Sequence, residues 1–285
     1  MIPPAFDYLR PSSIDEAVTA LRDAGEDAKV IAGGQSLLPV LRLRLSYPSL
    51  LVDLGRIPEL RGVRDDGDAI RIGAMTTHAE LIADPLVQQH APLIAQAAKR
   101  VGDRQVRHLG TFGGSVSHAD PAGDLPTVAL ALDADMHVRG SAGERTLAAK
   151  DFFVDYLTTS LQAGEILTAI RVPKLGPEWS SHYEKFNRVA QAWAIVAVAA
   201  VVQRANGSIA AARIGLTNMG PTPLRAPAVE QSLAGADASA DAVARASAHA
   251  AEGTNAPSDL SGQADYRNHL ATVLTRRAIL KAARI

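Results

Sequence analysis

The apolar positions alternate between two periods along the chain, and the switches mark its elements. Near the start, Ser13-Ile14-Asp15-Glu16 has the form of a capping box, with the Ser hydroxyl on the first turn and Glu16 reaching back. Ile14, Ala17, Val18 and Leu21 then recur at helical spacing, and Gly25 is placed to stop the helix. Lys29–Ala32 reads as a short buried strand, Leu37–Leu43 as a short helix and Leu50–Leu54 as a strand, so the first segment is β-α-β in character.

A second segment opens near Gly55. Gly62–Arg64 and Ile70–Gly73 flank Asp65-Asp66-Gly67-Asp68, a hairpin signal, and Thr77–Glu80 repeats the capping-box pattern. Helical spacing continues in pieces to about Val101, then gives way to a polar stretch, Gly102–Asp124, expected as one long loop. A helix is expected at Leu125–Leu132 and strands at Met136–Arg139 and Ile166–Val172. Lys174–Ser181, with Gly176-Pro177, reads as a linker. Beyond it, Ala194–Gln203 and Ser208–Thr217 enclose Asn206-Gly207, the strongest hairpin signal in the chain. The remainder reads as helices at Ala226–Leu233, Asp237–Ala251 and Tyr266–Ala283.

Composition narrows the function. The 285 residues suffice for one to three domains with a sizeable core. With 29 basic and 30 acidic residues the net charge is −1, which argues against a nucleic-acid binder. The longest wholly apolar run, Ala194–Val202, is roughly half of what spans a bilayer. No basic leader precedes an apolar stretch at Met1–Arg10, so no membrane span or export signal is expected and the location expected is cytoplasmic. There is no Cys, which excludes disulfides, thiol catalysis and Cys-held iron–sulfur clusters within this chain.

Two glycine-rich segments carry the candidate chemistry. Ala32-Gly33-Gly34-Gln35-Ser36 runs from a strand into a helix; consecutive N–H groups in such a turn form an anion-binding concavity, although a tight β-α turn alone would use the same residues. It lacks the Gly-Lys-Ser/Thr of a P-loop and the spacing of a dinucleotide fingerprint. Gly110-Thr111-Phe112-Gly113-Gly114-Ser115 is the second. The two could close on one large ligand carrying a diphosphate and a polyol, with Thr111 and Ser115 as hydroxyl donors and Asp124 as polyol acceptor or helix cap. His78 follows a capping Thr, His118 and His108 show no metal-site spacing, and Asp120 precedes Pro121 as turn formers do. No metal site and no acid, base or nucleophile is assigned.

Ala32–Pro39, Ile72–His78, Gly110–Ser115, Ala119–Pro126, Gly164–Ile170, Tyr183–Phe186, Gly215–Asn218 and Tyr266-Arg267 with Arg276–Ala278 together resemble the FAD-binding medium subunit of the molybdenum hydroxylases, the carbon monoxide and xanthine dehydrogenase group. The resemblance spans essentially the whole chain. It implies an α+β fold: a two-subdomain FAD-binding unit of the vanillyl-alcohol-oxidase (PCMH) type, residues 1–55 and 56–176, followed by a C-terminal α/β domain, 177–285. It also implies FAD in this chain, [2Fe–2S] clusters in a small partner subunit and a molybdenum cofactor in a large one. The assembly implied is a dimer of heterotrimers passing electrons from the clusters through FAD to an external acceptor. By residue, it implies FAD contacts at Ala32, Gly33, Gly34, Gln35, Ser36 and Leu37, at Thr77 and His78, at Thr111, Gly113, Gly114 and Ser115, and at Asp120 and Asp124. Leu167, Lys185 and Trp193 are implied beside the flavin, Trp193 as its cover. Lys185 would be a cation near the ring or, on the plainer reading, a surface Lys on a strand. The alternative reading is a stand-alone FAD oxidoreductase of the same superfold.

Overall fold

The computed structural model describes residues 2–285. The first sheet is wholly parallel. It contains β1 (Asp7–Leu9), β2 (Ala28–Ile31) and β3 (Leu50–Asp53) in the order β1-β3-β2, connected by helices α1 (Ile14–Ala24) and α2 (Leu37–Arg42). Ser13 caps α1 by accepting from the Glu16 amide, and Gly25, with φ +68°, ends it. The reciprocal arm differs from expectation: Glu16 accepts from the amide and hydroxyl of Ser12 rather than the amide of Ser13.

The second sheet is antiparallel, built from β4 (Val63–Asp66), β5 (Ala69–Gly73), β6 (Asp135–Gly140), β7 (Gly143–Ala148) and, entering late, β10 (Ile166–Pro173). The strand order is β4-β5-β10-β6-β7, so β10 is central. Between β5 and β6 the chain inserts α3 (His78–Ala83), α4 (Pro85–His90), α5 (Pro92–Ala98), α6 (Arg104–Leu109), α7 (Phe112–His118) and α8 (Asp124–Ala131). The stretch expected as one long loop, 102–124, is therefore mostly helical. Its polar residues are caps: Asp103 accepts from the Val106 amide and Thr111 from the Gly114 amide. The edge strand β7, the turn α9 (Ala149–Phe152) and the small pair β8 (Phe153–Asp155) and β9 (Thr158–Thr159) lack a clear period in sequence.

The third sheet comprises β11 (Trp179–Phe186), β12 (Val196–Ala205), β13 (Ser208–Thr217) and β14 (Leu224–Arg225), in sequence order and antiparallel. The expected linker is thus shorter, because Trp179 already pairs with Gln203. Asn206 and Gly207 both take positive φ, as the hairpin between β12 and β13 requires. Strand β12 explains the long apolar run. Ala197, Ala199 and Val201 point into the core shared with α8, whereas Val196, Val198, Ala200 and Val202 point into a second core. That second core is closed by α10 (Pro227–Leu233), α11 (Ala240–Ser247) and α12 (Ala264–Ala283). A strand buried on both faces needs no alternation. α8 is buried along its entire length for the same reason, between the second sheet and the third.

Candidate functional site

The two glycine-rich segments meet. A Cβ on Gly33 would lie 2.2 Å from the Leu109 carbonyl oxygen and 2.7 Å from the Gly110 Cα, and one on Gly114 would lie 3.4 Å from the Ala32 Cβ. Gly33 is therefore small because a backbone crosses it. Gly34 has another reason, its φ of +71°. The amides of Gly34, Gln35, Ser36 and Leu37 bond to nothing among the described residues, and Ser36 gives α2 no side-chain cap. Gln35 folds its side chain back onto the Gly33 carbonyl, 3.0 Å. Four successive free donors on one turn are what an anionic diphosphate requires.

The second segment is built differently. Gly113 donates to the Ala74 carbonyl at 2.8 Å, Gly114 to the Thr111 hydroxyl at 3.0 Å and Ser115 to the Thr111 carbonyl at 3.0 Å. Its amides are spent within the chain, so what it can offer is the hydroxyl of half-buried Ser115 and the proton of the buried Thr111 hydroxyl, whose oxygen already caps α7. A Cβ on Gly113 would come within 2.5 Å of the Ala74 Cβ, so this glycine serves packing.

Thr77 and His78 tie this junction together. Thr77 completes a capping box with Glu80 and forms a β-bridge with Thr111, while the His78 amide donates to the Gly110 carbonyl at 2.9 Å. The His78 ring is buried and its Nδ1 has no partner. Burial, then the neighbouring Arg107 charge, pushes its pKa down to about 4, so the ring is neutral at pH 7.

A second group of residues lines an open cleft of about 680 Å³, within the range of small-molecule sites. Asp120, Pro121 and Ala122 form one wall and Ala192–Ile195 another, with Asn218 and Arg267 also lining it. Asp120 Oδ1 accepts from the Ala122 amide at 2.9 Å, the expected turn role. Trp193 is 55% exposed at the cleft.

Asp124 and Lys185 sit apart from both groups, inside the protein. Lys185 Nζ donates to Asp124 Oδ2 at 2.8 Å and to the Arg100 carbonyl at 3.1 Å; Tyr183 Oη donates to Asp124 Oδ1 at 2.7 Å. The side chains of Lys185 and Asp124 are 2% and 4% exposed. Lys185 is thus on a strand as expected, but it is not a surface Lys. Asp124 is the first residue of α8, with Gly123 rather than itself as the cap. Burial drives the Asp124 carboxyl above its ordinary value, opposed by Lys185 and Tyr183, and burial beside Asp124 holds the Tyr183 hydroxyl well above 10.0. Leu167 is buried in the core beside a register shift in β10, with no exposed surface to offer.

Sequence reasoning gave no role to Tyr183, Asn218 or Arg267. The spacing of Tyr183 and Lys185, two apart on a strand and so on one face, was the available signal for the first.

A parallel β-α-β unit joined to an antiparallel sheet, with a turn of free amides packed against the second glycine-rich segment, is suited to hold a nucleotide-type cofactor. Comparison with known proteins gives the particular family. Residues 4–175 match the FAD binding domain in molybdopterin dehydrogenase, and residues 181–282 match the CO dehydrogenase flavoprotein C-terminal domain; the chain belongs to this family. It is 41% identical to the carbon monoxide dehydrogenase medium chain of Hydrogenophaga pseudoflava, over 98% of this chain and 97% of that one. It is 39% identical to the nicotine 6-hydroxylase medium subunit of Paenarthrobacter nicotinovorans, over 98% of each chain. The solved carbon monoxide dehydrogenase of Hydrogenophaga pseudoflava, in a form lacking the Mo-pyranopterin moiety of its cofactor, superposes with TM-score 0.97 at 43% identity, covering 100% of this chain and 99% of that one. The chain is an FAD-binding oxidoreductase subunit of this class, and its α+β fold is the one expected from sequence. Among the described residues, no helix is long and apolar enough to cross a membrane.

Proposed function

We propose that this chain holds FAD as the medium subunit of a three-subunit molybdenum hydroxylase and passes electrons from a partner's [2Fe–2S] clusters to an external acceptor. The observation that carries the reading is the run of four unbonded amides, Gly34–Leu37, against the Gly110–Ser115 segment. When bound, FAD supplies the two-electron to one-electron exchange such a relay needs. The chain's own residues bind and orient it. The Ala32–Leu37 turn takes the diphosphate, the Thr111 and Ser115 hydroxyls approach from the other side, and Asp120 and Trp193 border the space for the ring. Thr77, His78, Gly113 and Gly114 act behind the contact surface by fixing the junction. Asp124, Lys185 and Leu167 support it from the interior. No residue is assigned acid, base or nucleophile duty.

On this reading residues 1–55 and 56–176 are two halves that enclose FAD, and 177–285 is the following domain. The large subunit carries the molybdenum cofactor and meets the substrate. Support comes from identities that do not track substrate: 41% to a carbon monoxide dehydrogenase chain, 39% to a nicotine hydroxylase chain and 34% to a glyceraldehyde dehydrogenase chain. The assembly proposed is a dimer of such trimers in the cytoplasm.

The test is an absorption spectrum with metal analysis on the complex pulled down through this chain. Flavin, iron–sulfur and molybdenum with two co-purifying chains is the expected result. Flavin alone on a single chain, reduced directly by a small molecule, would replace this reading with a stand-alone oxidoreductase.

A further inference from the structure

Trp193 lies in a run of turns and bends, 187–195, between β11 and β12. A side chain more than half exposed has little packing of its own to hold it, so the backbone beside it must do so. Two buried groups grip that backbone at the next two residues. Asn218 Nδ2 donates to the Ala194 carbonyl at 2.8 Å and the Ile195 carbonyl at 3.3 Å. Arg267 Nη1, from α12, donates to the same Ile195 carbonyl.

Each group is anchored at its far side. The Arg267 side chain is 0% exposed, and its Nη2 lies 2.8 Å from both carboxylate oxygens of Asp259. Asp259 Oδ1 in turn accepts from the Ser261 amide at 2.7 Å. The Asn218 amide donates to the Pro121 carbonyl at 2.8 Å, so this one residue joins the Asp120–Ala122 wall of the cleft to the Ala194–Ile195 wall. A buried guanidinium is a costly way to pack a helix against a sheet, since an aliphatic side chain does that without desolvating a charge. What an aliphatic chain cannot do is hold a specific carbonyl in a fixed place.

We propose that Arg267 and Asn218 are positioning residues for Trp193: they clamp the Ala194–Ile195 backbone so that the indole stands as a fixed wall of the cleft. The proposal rests on the reading above for its consequence, that a fixed indole presses on the flavin ring. The clamp itself does not depend on FAD.

The test uses the full-length chain in a Trp179→Phe background, which leaves Trp193 as the one indole. Without FAD, Arg267→Lys and Asn218→Gly should raise acrylamide quenching of Trp193 and lower its anisotropy. Gly is chosen because Asn218 has φ +62°, which Ala would strain. Should Arg267→Lys fail to fold, Asp259→Asn, at a half-exposed carboxylate, loosens the same clamp. FAD titrated into the deflavinated complex should then bind about tenfold more weakly to Arg267→Lys, the loss of one charged hydrogen bond. It should also bind more weakly to Trp193→Ala, and adding Arg267→Lys to Trp193→Ala should cost nothing more. Unchanged quenching in all the clamp variants would overturn the clamp, and fully additive losses of FAD affinity would overturn its action on the flavin through Trp193. If the clamp variants free the indole but Trp193→Ala leaves FAD affinity and the flavin spectrum unchanged, the clamp stands and the flavin-wall reading falls.

Discussion

Lys185 and Asp124, 61 residues apart, form a 2.8 Å ion pair inside the protein, and that pair fastens the third sheet to the helix that precedes the second sheet's β6. Both charges are fully desolvated, so the pair behaves asymmetrically on mutation. Lys185→Met leaves the Asp124 carboxyl buried with only Tyr183 as partner and should destabilise by about 3–5 kcal/mol. Adding Asp124→Asn, which keeps an acceptor for Tyr183, should restore a large part of that loss. Urea unfolding of the two singles and the double gives the coupling; a Lys185→Met cost below about 1 kcal/mol, the range of exposed pairs, would contradict the burial.

His78 predicts an acid sensitivity. Its folded pKa is about 4 against an ordinary 6.5. Below pH 6.5 the unfolded chain takes up a proton that the folded chain refuses, so stability present at pH 7 drains away as pH falls toward 4. At about 1.4 kcal/mol per pH unit, roughly 2 kcal/mol is lost by pH 5. His78→Asn cannot titrate and should flatten the curve in this window. Thermal melts of both proteins from pH 7 to 5 decide it, and parallel curves would show that His78 is not the group responsible.

The chain's periodic parts and the caps that precede them could be read from sequence, and its shortest helices and buried polar pairs could not. Asn206-Gly207 specified its hairpin because positive φ at both positions admits few residues. Glycine density reports close backbone approach, and the two glycine segments do pack on each other at Gly33 and Gly110. Arg104–Leu109 and Phe112–His118 were hidden because helices of six and seven residues show barely two turns of period, and their caps are the same Asp and Thr that populate loops. Neither reading of Lys185, a cation near the ring or a surface Lys, includes the buried pair with Asp124, because nothing local reveals a carboxylate 61 positions away. Arg267 falls within a motif, but its partners Asp259 and Ile195 are joined to it by tertiary structure alone.

Gly33 and Gly113 should be intolerant for reasons of space. A methyl at Gly33 would sit 2.2 Å from the Leu109 carbonyl, and one at Gly113 within 2.5 Å of the Ala74 Cβ. Neither neighbour is a flexible side chain. Gly33→Ala should therefore part the two segments, costing about 1–3 kcal/mol, and lower FAD content together with stability. Full FAD occupancy with unchanged Tm would mean that the segments do not meet as described.

Gly34 separates cofactor binding from folding. Its φ of +71° is the one positive value in the turn, yet a Cβ there meets side chains alone, Leu38 at 3.0 Å and Ile31 at an ordinary 3.5 Å, and Leu38 is exposed enough to move. Gly34→Ala should cost about 1–2 kcal/mol in stability from the left-handed backbone alone. The same strain tilts the amides of Gly34 and Gln35 away from a shared focus. FAD affinity should fall by more than the tenfold that about 1.4 kcal/mol represents. Gln35→Ala is the control: its exposed side chain bonds only to the Gly33 carbonyl, and its loss leaves every amide in place. A Gly34→Ala protein that keeps full FAD affinity, with Gln35→Ala losing it, would move the anion contact from the amides to the Gln35 side chain.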